Sequence, residues 1–310
     1  MPKIVVLAAA AAAALPLLVG CGRVQDEAAG GPRELPLRLV ATTGMVADAA
    51  ARVGGDRVRV EALMGPGIDP HLYKASEGDV EALVGADLVL FNGLHLEAKL
   101  GDVLERLDAR AAAITDSIPR SRLLSPPQFQ GQYDPHVWFD VDLWALAVEQ
   151  TGRILAEHDP AGAATYRRNA ARYAAELRRL HTWVTAQARR VPAERRVLVT
   201  AHDAFGYFGR RYGFEVRGLQ GISTATEAGA QDVQELAEFI ADRQIPSLFV
   251  ESSVSPRAID AVRAAVRSRG FDVEVGEQLY SDAMGEPGTP EGTYPGMVRH
   301  NVRAIVDGLS

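Results

Sequence analysis

From residue 36 onward the chain alternates short apolar, β-branched runs with amphipathic helical stretches, in two blocks separated by one long helical segment. That alternation is the pattern of parallel sheets covered by helices, an α/β architecture. In the first block the strand candidates are Leu37 to Thr43, Arg57 to Met64, Asp87 to Asn92 and Ala111 to Thr115. In the second they are Arg195 to Ala201, Glu215 to Leu219, Ser247 to Glu251 and Phe271 to Leu279, followed by a last helix around Tyr294 to Leu309. Between the blocks, Asp159 and Pro160 form an N-cap and first-turn pair. Helical character then persists to about Val191, with Tyr166, Ala170, Tyr173, Leu177, Leu180 and Val184 recurring at steps of four and three between Arg-rich flanks. A helix of that length runs roughly 45 Å. The expected organisation is one lobe over 36–158, a stiff connecting helix over 159–191 that limits hinge motion, and a second lobe over 192–310.

What precedes residue 36 speaks of compartment. Lys3 is followed by an apolar run from Ile4 to Val19, too short for a comfortable membrane span. It ends in Leu18-Val19-Gly20-Cys21, which resembles the bacterial lipobox, in which the cysteine is diacylated and becomes the mature N-terminus. Cys21 is the only cysteine of the chain, and a free thiol is usually avoided in an exported protein. Residues 1–20 are therefore expected to be a lipoprotein signal peptide, Cys21 the lipidation site, and 21–35 a flexible tether rich in Gly, Ala, Pro and charge. The rest is expected to lie outside the cytoplasm, membrane-anchored and monomeric. A net charge of −7 argues against a nucleic-acid partner, which would need clustered Lys and Arg.

Three of the seven histidines sit in similar settings. His71 lies in Asp69-Pro70-His71-Leu72-Tyr73 and His136 in Asp134-Pro135-His136-Val137-Trp138. Proline fixes the backbone ahead of each ring and restricts the residue before it, so the main chain aims the imidazole. His202 follows the strand Val197 to Thr200, and Asp282 sits where a strand ends. Ligands of open parallel sheets collect outside the carboxyl ends of strands. Three imidazoles and one carboxylate make a four-ligand site for a borderline cation, two ligands from each block. Ligating histidines must be neutral, so binding should weaken as the pH falls through about 6.5. His95, at a strand-to-helix turn, is placed beside the cleft without binding, and His158, His181 and His300 as solvated.

These motifs, with Leu90-Phe91-Asn92-Gly93, His202 to Phe208, Phe249 to Ser253, Leu279 to Asp282, Tyr294 and Arg299-His300-Asn301, resemble the metal-binding solute receptors of ABC importers, the cluster A-I or cluster nine family. The resemblance spans most of the mature chain. It implies two Rossmann-like lobes joined by a long rigid helix, an ion held at their interface by His71, His136, His202 and Asp282, and delivery to an ABC permease and its ATPase. Many zinc-dedicated members carry a His-rich loop before the second ligand, whereas Arg120 to Tyr133 is short and has no histidine. Several manganese-dedicated members have glutamate where this chain has His202. The three-His, one-Asp set therefore leaves Zn2+ and Mn2+ both open as the transported ion.

The rival from another class is a zinc-dependent hydrolase using the same four residues, with Glu251 or Asp203 as base. Asp203 reads more simply as a support for His202 or a helix cap. An adhesin finds no encoded partner surface, and no phosphate-cradling glycine loop or Ser-His-Asp elbow appears.

Overall fold

Strand periodicity decides how the two sheets bury themselves. The computed structural model describes residues 1–2, 35–127 and 131–310; the apolar run from Ile4 to Val19, Cys21 and most of the tether lie outside the described residues. The first sheet has the order β2-β1-β3-β4, built from β1 (Leu37–Ala41), β2 (Val58–Ala62), β3 (Leu88–Phe91) and β4 (Ala111–Ala113), all in parallel. Side chains alternate across a strand. Leu37, Leu39 and Ala41 thus enter one core with Leu88 and Leu90, while Val40 and Val89 enter a second with Leu83, Leu100 and Leu104. Being buried on both faces is what makes these strands read as continuous apolar runs.

The second lobe repeats the arrangement. β5 (Val197–His202) pairs in parallel with β6 (Glu215–Gln220), and β7 (Ser247–Leu248) with β8 (Glu274–Val275). The bond from the Phe249 amide to the Val199 carbonyl, 2.9 Å, sets β7 beside β5, so the order β6-β5-β7-β8 matches that of the first sheet. The expected strands Ser247 to Glu251 and Phe271 to Leu279 are regular over two residues each and then continue only as a bridge between Glu251 and Leu279. Both residues of β8 are exposed, so nothing packs its outer edge into a longer ladder.

The helices are α1 (Gly44–Gly54), α2 (Glu77–Gly85), α3 (Gly101–Leu107), α4 (Val141–His158), α5 (Ala163–Ala188), α6 (Gly206–Tyr212), α7 (Ala230–Arg243), α8 (Arg257–Ser268) and α9 (Tyr294–Leu309). The long connector is α5, and all six positions of its expected stripe are buried. Two details differ from the sequence reading. Pro160–Gly162 forms a separate 3-10 turn, and the Asp159 carboxylate does not cap α5 but binds Arg57 at 2.6 Å and the Tyr166 hydroxyl at 2.7 Å. Nor is α5 a free rod. It packs along α4 and against α1 and α9, inside one apolar cluster that runs from Leu39 of β1 to Leu198 of β5. The residues from Glu34 to Ser310 form one compact unit containing all the core clusters. An apolar core shared by both lobes resists shear, which gives the expected stiffness a second cause besides helix length. Leu177, 0% exposed at the middle of α5, is expected to lower stability by about 2–5 kcal/mol when replaced by alanine, read as a shift in a guanidinium melt.

Candidate metal centre

Each of the four expected ligands comes from a different local device. His71 lies in the irregular segment that follows β2, where the Asp69 carboxylate accepts its main-chain N–H at 2.9 Å. His136 repeats this turn, with Asp134 accepting its N–H at 2.9 Å, and a 3-10 turn, Val137–Phe139, leads on into α4. His202 is the last residue of β5. Asp282 sits between β8 and α9 on a segment held from two sides. The Asn301 side chain accepts from the Tyr280 N–H at 2.9 Å and donates to the Tyr280 carbonyl at 2.7 Å, and the Trp138 indole donates to the Ser281 carbonyl at 3.1 Å.

The chain brings all four together in the interior, at 4% exposure for His71, 0% for His136 and His202 and 1% for Asp282. The Nε2 atoms of His71 and His136 are 3.3 Å apart. Asp282 Oδ1 stands 3.3 Å from His136 Nε2, and Oδ2 stands 3.2 Å from His202 Nε2 and 3.7 Å from His71 Nε2. Donor atoms from all four residues lie within 4.8 Å of one another. Four ligands at the zinc–nitrogen distance around one ion are separated by about 3.3 Å, so the cluster has the spacing of a coordination shell. Neither oxygen of Asp282 has a hydrogen-bond donor in line with it. A buried carboxylate so placed is a strong ligand for a cation and a costly group without one.

Beyond the four converging residues, two carboxylates face the rings. Asp134 Oδ1 lies 2.7 Å from His136 Nδ1, and Glu251 Oε2 lies 2.6 Å from His202 Nδ1. Asp134 accepts a hydrogen bond from His136 Nδ1, which leaves Nε2 of that ring as the lone-pair donor facing the cluster, and Glu251 stands at ion-pair distance from His202 Nδ1. Glu251 also accepts the His202 main-chain N–H at 2.9 Å. The sequence reading weighed Glu251 only as a catalytic base and used Asp134 only as part of a turn. The available signal was Asp134 two residues before its histidine; for Glu251, 49 residues away, there was none. His71 has no such carboxylate on its ring. Its Asp69 turns the other way, accepting the Thr224 hydroxyl at 2.5 Å from the second lobe.

The charge pattern follows from these contacts. Burial and then the neighbouring imidazoles push His71 down to about 3, against the pull of Asp282. For His136 burial opposes the charge, but Asp134 and Asp282 outweigh it and raise the ring to about 9. Burial likewise opposes the charge on His202, yet Glu251 and Asp282 hold it well above its ordinary value. Burial works against the anion of Asp282 too, and His202 and His136 keep it well below. Two of the three imidazoles are thus favoured in their charged form beside the Asp282 carboxylate. Asp134→Asn keeps an acceptor but removes the charge, and is expected to weaken ion binding by about 10- to 100-fold in a chelator competition titration.

Other expectations need correction. Asp203 neither caps α6, whose N-cap is Phe205, nor reaches an imidazole; burial first, and then the charge of Asp134, raise its carboxyl to about 6. His181 and His300 are not simply solvated. The His181 ring meets the Tyr212 hydroxyl at 3.1 Å and His300 Nε2 lies 2.8 Å from the Gln278 carbonyl. His158 is half-buried. His95 is exposed and lines a surface groove that none of the four ligands shares.

Residues 39–308 match the ZnuA family, zinc-uptake complex component A, periplasmic. The chain belongs to the ZnuA family. Among relatives, it is 50% identical over 288 residues to the zinc-binding protein TroA of Treponema pallidum, covering 92% of each chain. It is 48% identical over 295 residues to the manganese-binding lipoprotein MntA of Bacillus subtilis, covering 94% of this chain and 95% of that one. The solved structure of periplasmic zinc-binding TroA from T. pallidum superposes with a TM-score of 0.86, covering 88% of this chain and 99% of that one. As a ZnuA-family chain, the protein has two α/β lobes of parallel sheet on either side of one long helix, as the sequence led one to expect. Among the described residues, no helix is long and apolar enough to cross a membrane.

Proposed function

We propose that this chain is an extracytoplasmic receptor that binds Zn2+ or Mn2+ between its lobes through His71, His136, His202 and Asp282 and hands the ion to an ABC permease driven by its ATPase. The observation that carries the reading is the convergence of three Nε2 atoms and a buried carboxylate at ligand spacing. In this reading the lobes are 36–158 and 192–310 with the helix 159–191 between them, the receptor is a monomer, and acylated Cys21 anchors it to the membrane. Relatives named as lipoproteins that bind manganese and as zinc-binding proteins support both the cargo and the anchor.

Both oxygens of Asp282 face imidazole nitrogens. One oxygen completes a four-donor shell that suits zinc, and two complete a five-donor shell that manganese accepts more readily. A receptor is also the better account of Glu251. The residue considered as a hydrolase base stands 2.6 Å from His202 Nδ1 and orients that ring. Calorimetric titration of the metal-free protein is expected to give one zinc or manganese site per chain, and His71→Ala to weaken it by at least about a hundredfold. No binding in the parent chain, or equal binding in the variant, would refute the assignment.

A further inference from the structure

The solvent face of α5 carries charge of one sign. From Ala163 to Arg190 the sequence has seven arginines and one glutamate, in a chain whose net charge is −7. At 3.6 residues per turn the five within α5, Arg167 to Arg179, fall within an arc of about 140°, opposite the buried stripe, and span about 18 Å of helix, and Arg189 and Arg190 follow its last turn. All seven are exposed, and the one glutamate, Glu176, is turned toward Arg52 of α1 at 3.4 Å. Among the described residues, Arg178 alone of the seven has a carboxylate partner, Glu149 at 2.6 Å. Arg168, Arg172 and Arg190 donate to the neutral side chains of Thr165, Asn169 and Gln187. Solvated helices usually interleave signs, and like charges four apart, as at Arg168 and Arg172, are unfavourable. At the edge of this face half-buried Trp183 lies under two arginines of α9, Arg299 at 4.7 Å and Arg303 at 6.0 Å from the ring centre.

The start of the folded unit lies beside the same helix. Leu37 pairs with Val58, and the adjoining Arg57 donates to Asp159 and to the Tyr166 hydroxyl at the beginning of α5. The fourteen residues 22–35 between Cys21 and Pro36 reach at most about 50 Å, more than the length of α5.

We propose that the arginine face of α5, continued by Arg299 and Arg303, seats the protein on the anionic headgroups of the membrane that holds its anchor. Guanidinium groups pair bidentately with phosphate, and their attraction to an anionic surface acts within about 10 Å, so a flat array gains where scattered charges do not. Trp183 supplies the amphipathic ring that favours an interface. The ligand segments follow the carboxyl ends of β2 and β5, whereas Leu37 begins β1 at the opposite end of its sheet, so seating on this face leaves those segments free.

This proposal rests on the reading of Cys21 as the anchor, and its test is kept apart from that reading by using residues 34–310, the compact unit, without leader or acyl site. The soluble unit is sedimented with vesicles of equimolar phosphatidylglycerol and phosphatidylcholine, or of phosphatidylcholine alone, across a series of salt concentrations. Binding is expected on the anionic vesicles only, weakening steeply with salt. The triple variant Arg168→Glu, Arg172→Glu, Arg179→Glu is expected to bind at least about tenfold more weakly with an unchanged thermal midpoint and zinc titration, and Trp183→Ala a few-fold more weakly. Equal binding by parent and triple variant, equal binding to neutral vesicles, or capture by soluble polyphosphate without vesicle binding would overturn it. A missing acyl mass on the full-length chain would instead fault the anchor alone.

Discussion

His202→Ala is expected to damage the protein twice, whereas His71→Ala damages it once. Both remove one of the four proposed ligands, and each should weaken zinc binding by about two to three orders of magnitude in a chelator competition. The difference lies behind the ring. Glu251 is 2% exposed and has His202 Nδ1 and the His202 main-chain N–H as partners. Without the imidazole its carboxylate keeps only the main-chain bond, and removing one partner of a buried ion pair costs about 3–5 kcal/mol. Among the described residues no carboxylate pairs with His71 Nδ1, and its loss strands nothing comparable. Metal-free His202→Ala should therefore melt well below the parent in a thermal scan while metal-free His71→Ala melts close to it. The double variant His202→Ala, Glu251→Ala should recover part of the stability and none of the binding. Equal melting of the two single variants would show that Glu251 does not depend on the ring it faces.

Stability and ion binding are expected to depend on pH with opposite signs. In the metal-free protein His136 is raised from 6.5 to about 9, after burial is outweighed by Asp134 and Asp282, and His202 moves in the same direction. A raised group stabilises fully below its unfolded value and loses that contribution as the pH climbs through its folded value. Metal-free protein should thus lose on the order of 3 kcal/mol through His136 between about pH 6.5 and 9. Asp282, held below its ordinary 3.8, sets the acid limb and contributes above that value. Binding runs the other way, because an ion must displace the Nε2 protons of His136 and His202. At pH 7 about two protons should leave per ion, measured as the dependence of calorimetric heat on buffer ionisation, and affinity should rise by about two decades per pH unit. The weakening expected from an ordinary histidine near 6.5 is moved up toward 9. His71, pushed down to about 3, takes no part in this window.

The four converging residues were legible because each lay in a local pattern, two Asp-Pro-His turns, one histidine at a strand end and one aspartate after another strand. The fold was legible from alternating buried runs, since central strands covered on both faces leave unbroken apolar segments such as Leu88–Phe91. Boundaries were less so. Two strands of the second lobe, β7 and β8, shrink to a two-residue ladder where β8 is exposed, and Asp159, which looked like a cap, is drawn to Arg57 across 102 residues. Local propensity yields wherever a distant partner offers a stronger bond.

By itself, then, the sequence determined the α/β alternation, the long helix and the identities of the four converging residues, because these depend on periodicity and on the backbone around each residue. Tertiary structure decided what those residues are chemically. Only folding places Glu251 against His202, Asp134 against the ring of His136 and nothing acidic behind His71. Burial and those contacts set His71 and His136 about six pH units apart and move His202 in the direction of His136, since the field at a buried ring is set by whichever charges packing brings near it.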